Sequence, residues 1–150
     1  MNKFKENPAL MIDILKTVVI DLITGYSSAN NKLRALSEEV ITSIFNLLNE
    51  LKALPQLFQL LLVGFAGTKA QTKSATIRAL MLVFTINYKQ QGLAIEDPSF
   101  QDFLRKVSKI VALYLRDERA EAEIHRASLR FLKTSIAFLT VDQLNKDLLD

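Results

Sequence analysis

Apolar side chains recur at three- and four-residue spacing along most of the chain, which is the pattern of amphipathic helices. The first run follows Asn7-Pro8, an N-cap followed by a proline at the first helical position, and continues to Gly25. Its apolar members are Leu10, Met11, Ile14, Leu15, Val18 and Leu22. The spacing predicts a first helix over about 8–24, and no segment shows the alternation typical of a strand.

Similar start and stop signals predict six further helices. The second spans about 31–52 and follows a polar turn. A short, almost wholly apolar third helix opens at Pro55, and Gly64 and Gly67 weaken and end it. After the turn 68–72, a fourth helix reaches about Tyr88.

The second half of the chain repeats these signals. Asp97-Pro98 caps and opens a fifth helix, and a sixth spans about 119–139. Thr140 and Gln143 have the spacing of a capping box, which predicts the start of a seventh helix running to Asp150.

The odd-numbered helices begin at regular intervals. Their first residues, Pro8, Pro55, Pro98 and Val141, are separated by 47, 43 and 43 residues. Two helices per about 40 to 47 residues is the period of HEAT and armadillo repeats. We therefore predict an all-α fold, a solenoid of about three antiparallel helix pairs, as a single domain over 1–150. The uncovered apolar face of the seventh helix further suggests a fragment of a longer solenoid.

The sixth helix has an apolar arc of about 200° when it is drawn as a wheel. The arc contains Ile124, Ala127, Leu129, Phe131, Leu132, Ile136, Phe138 and Leu139. An arc this wide predicts packing on two sides, whereas the fifth helix has one apolar and one polar face. We therefore expect the even-numbered helices to form the inner, concave layer, with Leu80, Val83 and Phe84 of the fourth helix among the most buried side chains.

Composition limits the chemistry that the chain can perform. Apolar residues make up 49% of it and charged residues 23%, which is typical of a folded core and excludes disorder. There is no cysteine, and the single histidine, His125, is expected to be structural or solvated. No nucleophile with its base, phosphate loop or metal-binding motif is present, so we expect no enzyme, cofactor, metal or small-molecule substrate. The longest uncharged stretch, 53–68, is too short to span a membrane.

A basic stripe is the strongest candidate for a binding surface. Arg126, Arg130 and Lys133 recur at the spacing of one helix face. When the fourth and sixth helices are aligned with Ala75 at Ala127, Arg78 falls at the position of Arg130. These four residues can contact phosphate or an acidic partner. The simpler interpretation is a solvated helix edge, paired with neighbouring carboxylates such as Asp117, Glu121 or Glu123.

Two stretches resemble the ribosomal RNA-processing protein 12-like HEAT-repeat family. The first is Gly64-Phe65-Ala66-Gly67-Thr68 followed by Ser74-Ala75-Thr76-Ile77-Arg78-Ala79-Leu80, which is similar to the family's GLAG…S…I…AL signature. The second is the charged turn 115–119 followed by Glu123-Ile124-His125-Arg126-Ala127-Ser128-Leu129-Arg130-Phe131-Leu132-Lys133. It is similar to the family's R-E-I-x-x-A-L-x-F-x-K pattern. The resemblance covers roughly residues 60–145.

This resemblance implies a non-catalytic scaffold in ribosome biogenesis. Members of the family are nuclear and nucleolar solenoids that act in maturation and export of pre-ribosomal subunits, so the expected partners are assembly proteins and pre-ribosomal RNA. A second hypothesis is a HEAT or armadillo adaptor in nuclear transport, signalling or trafficking, which binds a peptide or helix in its groove.

Overall fold

The computed structural model describes the backbone of residues 8–67 and 69–149 and the side chains of 9–67 and 69–137. This part of the chain contains six α-helices, a single 3₁₀ turn and no strand. The helices are α1 (Pro8–Tyr26), α2 (Asn31–Glu50), α3 (Leu54–Leu61), α4 (Ala70–Lys89), α5 (Pro98–Arg116) and α6 (Ala122–Leu149), with the 3₁₀ turn at Leu62–Phe65 between α3 and α4. The all-α class predicted from the hydrophobic spacing is confirmed.

Among the described residues, the starts of α2 and α5 have side-chain caps. The Asn30 side chain accepts hydrogen bonds from the backbone N–H groups of Lys32 and Leu33, at 3.0 and 3.2 Å. The Asp97 carboxylate accepts one from Ser99 N–H at 2.8 Å, and Pro98 is the first residue of α5. Both caps satisfy N–H groups that have no acceptor within the helix. The predicted cap at Asn7 lies outside the described residues.

The predicted seventh helix is wrong, because α6 continues without a break from Ala122 to Leu149. A capping box starts a helix only where the backbone of its first residue is non-helical, and the backbone at Thr140 is helical. Neither glycine nor proline occurs between these ends to interrupt the hydrogen bonds. The side chains of the predicted box, and those of Phe138 and Leu139, lie outside the described residues.

The centre of the core is a group of aromatic rings from four helices. Phe58 of α3 contacts Phe84, Phe100 and Phe103, with ring centroids 5.9, 5.9 and 5.0 Å away. Phe84 also contacts Phe131 of α6, at 5.7 Å. In α4, Leu80 and Val83 have no exposed surface and Phe84 is 5% exposed, so the predicted core positions are confirmed.

The helix α4 occupies the middle of the molecule and packs against α6, α1, α2 and α3. Phe84 contacts Phe131, and one turn further along each helix Tyr88 and Ser135 line the same cavity. The helices α4 and α6 therefore run side by side in the same direction. Since α4 packs more extensively against α1 than against α2, the layer beside it does not consist of even-numbered helices alone.

The neighbours in this layer are shifted relative to the repeat alignment. An alignment that places Arg78 at Arg130 places Phe84 at Ile136, whereas in the structure Phe84 contacts Phe131. Aligning the two helices by residue type therefore does not predict which residues are in contact. The position of one helix along its neighbour depends on how their side chains fit together.

Candidate binding surface on the last helix

The three cations of the predicted stripe lie on one exposed side of α6. Arg126, Arg130 and Lys133 are all exposed. On the opposite side of the helix, Ile124 and Phe131 are buried in the core. Successive separations of four and three residues keep side chains on one helix face, so the stripe predicted from the sequence is present as a surface.

The apolar residues beside this stripe are not packed as predicted. Leu129 is 58% exposed and Ile136 is 62% exposed, although the wheel placed both on a buried side. Only the side of α6 that faces α4 and α5 is covered, and it carries Ile124, Ala127 and Phe131. The uncovered side thus combines cations with large apolar side chains, and a hydrophobic arc alone could not reveal that no helix packs there.

The stripe has no acidic partner among the described side chains. Asp117, Glu121 and Glu123, the carboxylates expected to pair with it, form no ion pair with a stripe cation; described ion pairs lie elsewhere, as between Lys106 and Asp102. The Asp117 carboxylate instead accepts a hydrogen bond from the Arg119 N–H at 2.9 Å. These three carboxylates therefore do not hold the stripe cations in ion pairs.

Arg78, the fourth predicted binding residue, lies on α4 close to Tyr26 of α1. It is exposed on α4 and close enough to Tyr26 to affect that phenol, together with Arg34 and Glu38. Burial, aided by the Glu38 carboxylate, raises the pKa of Tyr26, while the positive charges of Arg34 and Arg78 oppose the shift. Arg78 thus lies near the end of α1 and the side of α2 that carries Arg34 and Glu38.

His125 has a structural contact of the kind expected for it. Its ring Nε2–H donates to the Asp117 backbone carbonyl oxygen, 2.9 Å away. This bond joins the first turns of α6 to the end of α5. Because the imidazole spans the turn between the two helices, it helps to fix the direction in which α6, and with it the stripe, leaves the turn.

Other candidate chemistry is not assembled in the part of the chain that has been described. Within it, no three residues among His, Asp and Glu come together to hold a metal ion. The Lys73 Nζ lies 5.6 Å from the centre of the Tyr114 ring, so the charge of Lys73 is engaged by an aromatic face. None of the helices in the described residues is long and apolar enough to cross a membrane.

Comparisons with protein-family models, with curated proteins and with solved structures found no match to the chain. The resemblance carried by the motifs at 64–80 and 115–133 therefore stays a prediction.

Proposed function

We propose that the chain is a non-catalytic HEAT-type scaffold that binds RNA through the stripe of Arg126, Arg130 and Lys133. The observation that carries this proposal is a row of three exposed cations without ion-pair partners among the described carboxylates. Such a row attracts phosphate groups, since each neutralised phosphate releases a condensed counterion. With the motif resemblance, it favours a role in pre-ribosomal RNA processing or subunit export, with assembly proteins as further partners and a nuclear or nucleolar location.

The packing of the helices supports a solenoid arrangement. The pairs α1 with α2 and α5 with α6 pack together as consecutive helices, and α4 runs parallel to α6 as equivalent helices of neighbouring repeats do. Most of the large exposed apolar side chains lie on the outer pairs. They are Leu10, Ile14, Val18, Ile20, Leu33, Leu36 and Val40 on α1 and α2, and Leu113, Leu129 and Ile136 on α5 and α6. Uncovered apolar faces at both ends are typical of a stack to which further helical layers can be added.

A second candidate function is supported by the apolar part of the same surface. Leu129 and Ile136 are exposed beside the stripe, and an amphipathic acidic helix presents the complementary combination of carboxylates and apolar side chains. This favours an adaptor that binds a helix or peptide in nuclear transport, signalling or trafficking. The two candidates predict different partners for one face of α6.

The test is a salt titration of binding to a single-stranded RNA oligonucleotide. The double variant Arg126→Glu with Arg130→Glu should bind more weakly at low salt. Loss of two phosphate contacts should also lower the slope of log affinity against log salt by about 1.4. The melting temperature should change little, because exposed charges contribute little to folding.

The matched control reverses two exposed cations at the same spacing on α5, Arg105→Glu with Lys109→Glu. This control should retain the wild-type affinity and salt slope, since it changes net charge equally but leaves the stripe intact. Equal RNA affinities for the wild type and the stripe variant would contradict RNA binding by this surface. Binding of an acidic amphipathic peptide that is lost in Leu129→Glu would then favour the adaptor.

A further inference from the structure

A cavity with a volume of about 340 Å³ lies between the loop 90–97, the end of α4, the start of α5 and the side of α6. Phe84 and Phe100 line it, and their rings meet edge to face with centroids 5.6 Å apart. Leu93 and Ile95 line it from the loop, and Ser135 lines it from α6. The volume falls within the range of about 300 to 1,000 Å³ that is usual for small-molecule sites.

The loop that borders the cavity is fixed by a buried side chain. Asn87, which is 4% exposed, donates from Nδ2 to the Leu93 carbonyl oxygen at 2.9 Å and accepts from the Leu93 N–H at 2.7 Å. The Gly92 N–H donates to the Asn87 carbonyl oxygen at 3.0 Å. These bonds hold Leu93 and its neighbours in one position relative to α4. The cavity is therefore formed before any ligand arrives.

Glycine is required at one point of this loop. A Cβ on Gly92 would clash with the Asn87 side chain, and it would come within 2.9 Å of Phe45 and 3.0 Å of Leu54. The preceding residue, Gln91, has a φ of 52°, in the left-handed region that non-glycine residues seldom adopt. A close approach next to a strained residue indicates that the loop is held by its surroundings and does not fold back to fill the cavity.

The lining determines which ligands the cavity can accept. Among the described residues that line it, none is Lys, Arg, His, Asp or Glu. Beside these residues a charged group would lose its hydration without gaining an ion-pair partner, which is costly. Aromatic and aliphatic groups would bury apolar surface against Phe84 and Phe100, while Gln91 and Ser135 provide polar groups at the wall. We propose that this cavity binds an uncharged, mainly aromatic small molecule that carries a hydroxyl-type polar group.

The proposal is tested with 2-naphthol as the probe and 2-naphthoate as its charged counterpart, using the whole chain. Binding is followed by the change in backbone amide resonances of the loop and by probe fluorescence. The wild-type protein should bind 2-naphthol, with resonance shifts at Gly92, Leu93 and Ala94. It should bind 2-naphthoate at least about tenfold more weakly, because the carboxylate has no cation in the described lining.

Two substitutions fill the cavity from different walls, Ala94→Leu from the loop and Ser135→Leu from α6. Each should weaken 2-naphthol binding at least about tenfold by occupying its volume. Ala137→Leu adds the same bulk on the exposed side of α6 and should bind as the wild type does. Circular dichroism melts establish whether each variant is folded. If one filling variant fails to fold, the other still tests whether a filled cavity loses 2-naphthol binding.

Any one of three results would overturn the proposal. The first is an absence of loop resonance shifts when 2-naphthol is added to the folded wild-type chain. The others are filling variants that bind 2-naphthol as tightly as the wild type, and 2-naphthoate that binds as tightly as 2-naphthol. The result is independent of the RNA titration, because the filling substitutions leave the cations of α6 unchanged.

Discussion

At the scale of single residues, the aromatic core depends on Phe84 more than on any other side chain of α4. Its ring meets those of Phe58, Phe100, Phe103 and Phe131, which come from three other helices. Edge-to-face ring pairs add to the burial of apolar surface. Removing this one ring therefore weakens the junction of four helices.

Phe84→Ala should lower the free energy of unfolding by about 3 to 5 kcal/mol, through lost transfer energy and the cavity left behind. Denaturant melts measure the change. Leu113→Ala, at a side chain that is 61% exposed, serves as the control and should change stability by no more than about 0.5 kcal/mol. A loss below about 1 kcal/mol for Phe84→Ala would contradict its central place in the core.

Gly64→Ala is expected to destabilise the fold by about 1 to 3 kcal/mol, because the added methyl group overpacks the contact between the 3₁₀ turn and α4. A Cβ at Gly64 would overlap the Thr76 hydroxyl and come within 2.9 Å of the Thr76 Cβ. Gly67→Ala is the matched control, since a Cβ there meets nothing within 4 Å. Thermal melts of both variants should separate them, and equal stabilities would show that the turn can move away from Thr76.

At the scale of helices, the start of α2 and the interior of α6 show how similar polar signals have different outcomes. Asn30 is extended and caps α2, so its side chain replaces a missing backbone acceptor. Thr140 lies within a continuous helix, where backbone N–H and carbonyl groups can form hydrogen bonds to other residues of the same helix. A cap motif starts a helix only where the backbone before it is not already helical.

Asn30→Ala should cost about 0.5 to 2 kcal/mol through loss of the cap. Asn46→Ala, at an exposed position inside the same helix, should cost nothing and can raise stability by a few tenths of a kcal/mol, about the difference in helix propensity. Chemical denaturation of the two variants measures both changes. A cost at Asn46 as large as the one at Asn30 would contradict the role of the cap.

At the scale of the whole molecule, α4 connects the first helix pair to the last. It packs against α1, α2, α3 and α6, and its buried positions include Ile77, Ala79, Leu80 and Val83. The outer helices α1 and α6 each expose one side. Local opening of an outer helix uncovers less apolar surface than opening of α4 does.

We expect the backbone amides of α4 between about 77 and 86 to exchange with solvent most slowly, at the rate set by global unfolding. Those of the outer helix α1, which exposes one side, should exchange faster through local opening. Native-state hydrogen exchange measured by NMR gives both rates. Slowest exchange in α1 or α6 would contradict the central role of α4.

The amino-acid sequence was enough to predict the all-α class, six of the helix starts within about three residues, the cap at Asp97 and the exposed cations of α6. These features follow from local physics, namely the helical period, caps, prolines and the solvation of charge. Burial at Leu80, Val83 and Phe84 followed in the same way, because long apolar side chains at helical spacing face a core.

Which helix faces are covered depends on packing between helices, and the periodicity of the sequence did not show it. Leu129 and Ile136 have the same periodicity as buried residues, and their exposure depends on whether another helix packs there. The contact of Phe84 with Phe131 and the cavity under the loop 90–97 likewise depend on how side chains of distant segments interlock. Periodicity gives the direction in which a side chain points along its own helix, and packing between helices determines what it meets.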